Sequence, residues 1–386
     1  MQASRSSGFR KLKVIAKVQE SDTITSFHLS PLDASGWSNF EAGQFLVFKI
    51  PVTPGDDGPG QHILRNYSVS SAPDQIGCYR ISVKREISSC AGVPDGLGSC
   101  YLHDHVQVGD VLMADGPRGE FVLDRISSRP VVLLSGGVGL TPLVSMLHAL
   151  ATQSDRRTVF VHACENGAVH ALGDEVRSLA ASRSGVTVHV VYRCPTVTES
   201  VVASHHGSGV ITRETLQALL PIDDYEFYLC GPPAFMKAIY ALVRSLGIAR
   251  ERIAFEFFGP ATVLDADLAV TQPPTAQDRS AAPTSSPAYA LNPATAGSSG
   301  EDGFAITFRK SGISATWAPK AHSLLAFAES LGLAPEFSCR SGICGTCRVG
   351  LLQGSVSYFE DPLDETGDRQ VLLCCARPAG PLVLDL

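Results

Sequence analysis

Missing from this chain is any block of Lys and Arg. Its 31 basic residues are outnumbered by 38 acidic ones, for a net charge of −7. Binding to a phosphate backbone leans on clustered cations, so nucleic acid is not expected as a partner. The N-terminus, MQASRSSGFRKLKVIAKV, lacks an apolar core of leader length; export is not expected, and a cytoplasmic location is. Pro130 to Ser154 lacks Asp, Glu, Lys and Arg altogether. That run imitates a membrane helix, but SGGVGLTP in its middle would interrupt one. A buried strand, turn and helix suit it better, so no membrane partner is expected. Disulfide patterning is lacking too. Six of the eleven cysteines (Cys78, Cys90, Cys100, Cys164, Cys194, Cys230) are scattered through a large chain without a leader. In a reducing compartment such residues serve as small buried hydrophobes or functional thiols.

What is present is a well-packed composition, 44% apolar and 18% charged over 386 residues, enough for two or three domains. Residues 1–127 carry short alternating apolar runs (LKVIAKV, TSFHLS, QFLVFKI, NYSVSS, YRISVKR, DVLMAD) punctuated by Gly, Pro and Asp, the pattern of a small antiparallel β-barrel. Residues 128–260 change to continuous apolar strands (PVVLLS, TVFVHA, VTVHVVY, EFYLC) separated by helical stretches. That pattern predicts an α/β domain with a parallel sheet covered on both faces. Residues 261–302 are rich in Pro, Ala, Ser and Thr with almost nothing to bury, and read as a linker. Residues 303–386 form a compact α+β tail. No internal repeat is found.

In the barrel, RNYSVS puts Arg65, Tyr67 and Ser68 on one strand, with Arg65 and Tyr67 on one face and Ser68 on the other unless the strand twists. A flavin needs a flat apolar surface for its ring, a hydrogen bond near its reactive nitrogen and a cation for its phosphates; Tyr, Ser and Arg supply these. Val83 and Lys84 follow in VKRE. Gly96, Gly98 and Ser99 then precede a helix-like segment, where backbone N–H groups and a small hydroxyl make an anion site. In the α/β domain, LLSGGVGLTP runs strand, Gly-rich turn, helix. Gly137 and Gly139 let the backbone approach a pyrophosphate, Thr141 is placed to cap the helix, and Pro142 suits its first turn. Because Pro142 replaces a third Gly, this is not the G-x-G-x-x-G of two-domain dehydrogenases. Cys230, Gly231 and Pro232 in YLCGPPAFM end a central strand, where α/β sheets bind ligands. Glu165 ends the second strand and is placed to accept from a ribose 2′-hydroxyl, which favours NADH. Arg193 is the one nearby cation that would favour NADPH.

The C-terminal tail holds SCRSGICGTC, in which Cys339, Cys344 and Cys347 are spaced C-x4-C-x2-C, with Cys374 and Cys375 further on. Zinc sites commonly use two C-x2-4-C pairs, whereas C-x4-C-x2-C…C is the plant-type [2Fe–2S] spacing. Gly342 and Gly345 would let the loop fold tightly around sulfur. Neighbours on a strand point opposite ways, so only one of Cys374 and Cys375 can serve as fourth ligand.

Taken together, RNYSVS, YRISVKRE, SCYLHDHVQVGD, GPRGEF, HACENGAVHALGDEV, EFYLCGPPAFM and FEFFGP resemble the ferredoxin–NADP reductase superfamily, and within it the reductase portion of flavohemoglobins, over roughly residues 10 to 265. About ten residues precede the first strand, so heme chemistry is not expected to come with the resemblance. It implies FAD rather than FMN, a place for Cys230 beside the nicotinamide, Glu256 at the flavin edge and Phe258 over the flavin ring. The tail resembles a plant-type ferredoxin domain, which implies a β-grasp fold and Cys374, before Cys-Ala, as the fourth ligand. Flavin barrel, nucleotide domain and ferredoxin in this order resemble phthalate dioxygenase reductase and its relatives. The implied function is transfer of electrons from NADH through FAD and a [2Fe–2S] cluster to a terminal oxygenase component. A Rieske-type hydroxylase or demethylase is the expected client, with a cytochrome P450 or other non-Rieske monooxygenase as the alternative; a non-catalytic redox-sensing module is a further alternative that the intact RNYS, GGVGLTP, CGPP and cysteine motifs argue against.

Overall fold

The computed structural model describes residues 8–33, 37–51, 62–87, 96–202, 204–257, 304–317, 321–333, 335–337, 342, 345, 347–359, 362, 366–367 and 369–386. The proposed linker lies outside them, as do Phe258, Cys339 and Cys344. The chain divides into two compact units.

The first unit contains two sheets. One is antiparallel: β1 (Arg10–Gln19), β2 (Ile24–Pro31), β3 (Phe45–Pro51), β4 (His62–Ser68), β5 (Tyr79–Lys84) and β6 (Val111–Arg118), in the order β4-β3-β6-β1-β2-β5. Its two outer strands meet just past Ser68, where Val69 bridges Ile81 and the Ser70 N–H donates to the Arg80 carbonyl at 2.7 Å. That contact closes the sheet into the expected barrel. Period-two alternation sends Leu12 and Val14 inward to meet Phe27, Leu29, Phe48 and Ile81. Helix α1 (Leu97–His105) adds Leu102 to the same core.

The second sheet is parallel throughout: β7 (Val131–Gly136), β8 (Thr158–Cys164), β9 (Val186–Tyr192), β10 (Gly207–Ser208), β11 (Glu226–Gly231) and β12 (Ile253–Phe257), in the order β10-β9-β8-β7-β11-β12. Every residue of β7 is buried, which explains its unbroken apolar sequence. Helices α2 (Leu140–Gln153), α3 (Gly173–Ser182), α4 (Val197–Val201), α5 (Arg213–Leu219) and α6 (Pro233–Ser245) make the connections. The chain steps outward from β7 to β10 and then returns to β11. The strand order therefore reverses between β7 and β11, the place where open α/β sheets bind ligands beyond their carboxyl ends. Phe121 and Leu123, which follow the barrel's last strand, pack with Leu143, Met146 and Tyr228 and join the two sheets through one apolar core.

The second unit is a mixed sheet with one helix: β13 (Ala305–Phe308), β14 (Ile313–Thr316), α7 (Leu324–Ser330), β15 (Arg348–Gln353), β16 (Val356–Tyr358), β17 (Gln370–Leu372), β18 (Ala376–Pro378) and β19 (Leu382–Leu384). The order is β14-β13-β19-β15-β17, with β16 and β18 paired separately. Ser323 caps α7 by accepting from the Ala326 N–H at 3.2 Å, and Phe327 packs on Phe308 and Trp317. Among the described residues no helix is long and apolar enough to cross a membrane.

Candidate redox site

A cavity of about 630 Å³ lies in the first unit. The barrel supplies Arg65, Tyr67 and Ser68 from β4, Val83 and Lys84 from β5, and Gly96, Gly98 and Ser99 from the start of α1. The parallel sheet supplies Thr141 and Pro232. Alternation does not sort the β4 residues as expected, because Leu64 through Ser68 all line the cavity. The strand is the outer one of its sheet, so the cavity reaches its unpaired edge as well as its faces.

Ser68 is 4% exposed, and its hydroxyl has no hydrogen-bond partner among the described residues. A buried orphan hydroxyl is costly unless something outside the chain satisfies it. Burial pushes the Tyr67 phenol above its ordinary range and keeps it neutral, and its ring tilts against Phe48 at 5.9 Å. Arg65 is exposed and donates to the Leu64 carbonyl at 2.8 Å; no carboxylate pairs with it among the described residues. At Gly98 a Cβ would stand 2.7 Å from Arg65 Cγ and 3.2 Å from the Tyr67 oxygen, so glycine keeps this wall open. The first intrahelical bond of α1 runs from the Cys100 N–H to the Gly96 carbonyl, which leaves earlier N–H groups for a ligand. An orphan hydroxyl, a neutral aromatic, an unpaired guanidinium and a helix start fit a flavin nucleotide, which Arg65, Tyr67, Ser68 and Gly98 would hold.

Three barrel residues have narrower roles than the sequence suggested. The Ser99 hydroxyl accepts from the Glu86 N–H at 3.1 Å and donates to the Gly96 carbonyl at 3.0 Å, so it builds the loop. Val83 also belongs to the barrel core, and its carbonyl lies 2.9 Å from His103 Nε2. Lys84 pairs with Glu86 at 3.2 Å.

At the nucleotide end, Gly137 has φ +53° and open space around it, which leaves its backbone approachable. Gly139 does something else: a Cβ there would stand 2.3 Å from the Cys230 carbonyl oxygen, so it lets the turn pack on the end of β11. Gly231 likewise leaves room for Phe235, and Pro232 caps α6. Thr141 is not the helix cap. The helix begins at Leu140, and the Thr141 hydroxyl donates back to the Val138 carbonyl at 3.1 Å. Pro142 stands in the first turn of α2.

Register places His162, Ser135, Cys230 and Glu256 side by side across β8, β7, β11 and β12. Cys230 is fully buried, and burial together with the Glu256 charge raises its thiol well above the ordinary range. It stays protonated and packs rather than attacks. Glu256 lies outside this cavity's wall and lines an adjoining cleft with Glu120 and Arg250; Phe257 faces the cavity instead. Glu165 does not present an unoccupied carboxylate either. Arg193 donates to both its oxygens, at 2.7 and 3.0 Å, and those hydrogen bonds hold the carboxyl below its ordinary range.

In the second unit, Arg348 pairs with Leu372 in the β15–β17 ladder. Cys374 follows Leu372 by two residues; in sequence, Cys347, the last residue of a segment grouped with the first unit, directly precedes Arg348. Both thiols are buried. Cys374 and Cys375 stand on a 3-10 turn, Leu373–Cys375, and not on a strand. Their side chains therefore diverge by about 120° rather than alternating. Cys375 points its thiol at the Leu372 carbonyl, 3.7 Å away. Gly342 and Gly345 have φ near +70°, which favours glycine at both positions of the cysteine loop.

The sequence did not flag Asn66, Ser82, Glu86, Val138 or Phe257 as cavity residues. Asn66 sits between two flagged residues and Ser82 beside one, on short strands, so the cavity's extent along each strand was the missing information.

The two sheets and the cavity between them define a flavin- and nucleotide-binding reductase, to which a ferredoxin-like unit is joined. Family models agree: "Oxidoreductase FAD-binding domain" matches residues 11–123, "Oxidoreductase NAD-binding domain" 133–240 and "2Fe-2S iron-sulfur cluster binding domain" 306–379. The chain belongs to the ferredoxin–NADP reductase superfamily, as a flavohemoprotein-like FAD/NAD reductase module fused to a [2Fe–2S] ferredoxin domain. A flavohemoprotein of Bacillus cereus is 44% identical over 257 residues, 66% of this chain and 62% of that protein. This chain thus spans less than two thirds of that relative's length. The flavohem-like FAD/NAD-binding domain of nitric oxide dioxygenase from Vibrio cholerae is 34% identical, with a TM-score of 0.57, covering 66% of this chain and 100% of that one. Phthalate dioxygenase reductase shares the fold over 98% of both chains, at 24% identity and a TM-score of 0.54.

Proposed function

We propose that this protein oxidises NADH and delivers its electrons one at a time, through FAD and a [2Fe–2S] cluster, to a terminal oxygenase of the Rieske hydroxylase or demethylase type. The observation that carries this is the single cavity walled by Arg65, Tyr67 and Ser68 on the barrel side and by Thr141 and Pro232 at the ends of the parallel strands. When bound, flavin supplies the conversion of a two-electron donor into single electrons that an iron–sulfur cluster can carry. Arg65 and the first amides of α1 bind the diphosphate, and the neutral Tyr67 ring gives the isoalloxazine a flat neighbour. The Ser68 hydroxyl supplies a hydrogen bond in a space closed to water. Gly137 lets the pyrophosphate of NADH approach the backbone, and Cys230 lies beside the nicotinamide as a protonated packing group. Glu256 would stand at the flavin's exposed edge, and Phe258 would cover the flavin ring until the nicotinamide displaces it.

Each Glu165 oxygen accepts one bond from Arg193 and keeps a lone pair for a ribose hydroxyl. The same carboxylate opposes a 2′-phosphate and neutralises the one cation that would bind it, so NADH is favoured over NADPH. Cys339, Cys344, Cys347 and Cys374 hold the cluster. The functional boundaries fall at residues 127/128, 260/261 and 302/303, and the protein works in the cytoplasm without a membrane partner.

Anaerobic titration of the purified protein with NADH, followed by visible absorbance and low-temperature EPR, tests this scheme. Bleaching of flavin and cluster bands with a rhombic [2Fe–2S] signal is expected. Flavin bleaching without that signal would overturn the cluster assignment, and no bleaching would overturn the whole scheme. Reconstituted turnover with a Rieske oxygenase and, separately, with a cytochrome P450 decides between the two client classes.

A further inference from the structure

Arg80 lies on β5 of the barrel, and its side chain is only 10% exposed. Its guanidinium reaches out of the barrel and forms a two-pronged ion pair with Glu175 of α3, at 2.6 and 2.8 Å. His148 of α2 meets the same carboxylate at 2.6 Å. Three elements from two sheets thus converge on one carboxylate. Back in the barrel, Arg80 donates to the Ser70 hydroxyl at 3.0 Å and to the Ser70 carbonyl at 2.5 Å. The Ser70 hydroxyl lies 2.9 Å from that of Ser82, which lies 2.7 Å from that of Ser26. Ser82 is a wall residue of the cavity described above. A continuous set of hydrogen bonds, buried inside the barrel and part-buried at the Glu175 carboxylate, therefore runs from the cavity wall through Arg80 to α2 and α3.

We infer that Arg80, Glu175 and His148 form a positioning clamp that fixes the nucleotide-binding sheet against the barrel and so sets the approach of NADH to the flavin; this rests on the function proposed above. The clamp is not needed to hold the halves together, because Phe121 and Leu123 already join them through an apolar core. Apolar contacts resist separation but are non-directional, so they permit sliding and small rotations. A two-pronged guanidinium–carboxylate pair is directional and permits neither. Helix α2 carries the restraint to the reacting end: it begins at Leu140, directly after the Gly-rich turn, and His148 lies ~12 Å along it. A misplacement of about 1 Å between reacting groups costs on the order of 100-fold in rate.

Glu175→Gln in the full-length, FAD-loaded protein is the test. It keeps the shape of the side chain but leaves Arg80 without its counter-charge. FAD affinity, read by flavin fluorescence, is expected to stay within about twofold, because no cavity residue has changed. The limiting rate of flavin reduction by NADH in anaerobic stopped flow should fall about 10- to 100-fold, with reduction by dithionite unchanged. His148→Leu, which leaves the Arg80–Glu175 ion pair in place, should lower the same rate about threefold by removing one restraint of three, and it decides the matter if Glu175→Gln fails to fold. A reduction rate within twofold of wild type in the variant that decides would overturn the clamp. Equal loss of FAD binding and reduction rate would also overturn it, since the pair would then serve folding rather than position. Wild-type protein that NADH does not reduce would instead overturn the proposed function, and would show itself before any variant is made.

Discussion

Ser68 and Gly98 show how single residues trade the empty fold against the loaded one. The Ser68 hydroxyl is buried with no partner among the described residues, so in the flavin-free protein it contributes nothing and costs its desolvation. Ser68→Ala should therefore leave the flavin-free protein as stable, or raise its stability by up to about 1 kcal/mol. The loaded protein should lose about 10- to 100-fold in its rate of reduction by NADH if the proposed hydrogen bond to the reacting ring is made by this hydroxyl. Thermal unfolding without flavin and stopped-flow reduction with it measure the two arms; loss of stability in the first would refute the argument. Gly98→Ala tests the opposite case, since its Cβ would press on Arg65 and Tyr67. FAD affinity should drop tenfold or more, about 1.4 kcal/mol, as read by flavin fluorescence. Both residues were legible in the sequence because RNYS and GLGS each concentrate their chemistry within a few positions. The Arg80–Glu175 pair was not, because its members stand 95 positions apart, one on a barrel strand and the other on helix α3. A strand motif names a segment but not which cleft each neighbour meets: Glu256 lines the adjoining cleft, and Phe257 lines the cavity as well.

Among the elements, the continuous apolar runs translated directly into strands, since a parallel strand buried on both faces needs apolar residues at every position. Details at element ends were less legible. Thr141 looked like a cap because Thr before a helix commonly is one, yet α2 starts one residue earlier and the turn is held by packing of Gly139 on β11. The sheet also carries an acid sensitivity that no local motif announces. His162 of β8 is wholly buried, with Nδ1 2.8 Å from the Ser135 hydroxyl, and it stacks on His170 at 4.9 Å. Burial holds His162 well below the ordinary imidazole range and lowers His170 to about 4. Both fold as neutral rings. An unfolded histidine takes up a proton near pH 6.5, whereas folded His170 resists until about pH 4. The unfolded state therefore binds more protons in between, and stability falls as pH drops through that window, by at most about 3 kcal/mol for His170. Glu175 has the same sign at lower pH. Burial pushes its carboxyl up, but bonds from His148 and Arg80 prevail and hold it at about 2, so its contribution is lost from about pH 4.5 downward. Thermal midpoints measured from pH 7 to 5 should decline, and His170→Phe, which keeps a ring in the stack, should flatten that decline. A slope unchanged by the substitution would place the sensitivity elsewhere.

At the scale of the whole molecule, the order of the domains implies a sequence of electron carriers, and the paired thiols at 374 and 375 allow its last internal carrier to be tested. Cys374 lies two residues past the partner of Arg348, whereas Cys375 turns its thiol toward the Leu372 carbonyl within its own turn. Both are buried, so burial alone does not separate them; the observed difference is that Cys375 hydrogen-bonds within its own turn. Cys375→Ser replaces a packed thiol with a hydroxyl that can still donate to the same carbonyl. It should keep the EPR signal and full reduction of both cytochrome c and ferricyanide by NADH. Cys374→Ser removes the proposed fourth ligand. It should lose the EPR signal and at least 90% of cytochrome c reduction, about 1.4 kcal/mol or more in rate terms, while ferricyanide, which takes electrons from flavin, is reduced as before. The same division of activities is expected of Cys344→Ser. If Cys375→Ser alone abolished the signal, the ligand assignment would be reversed. If Cys374→Ser lowered both activities equally, electrons would not leave the flavin before reaching the cluster. That result would contradict the order of carriers that the sequence of domains implies.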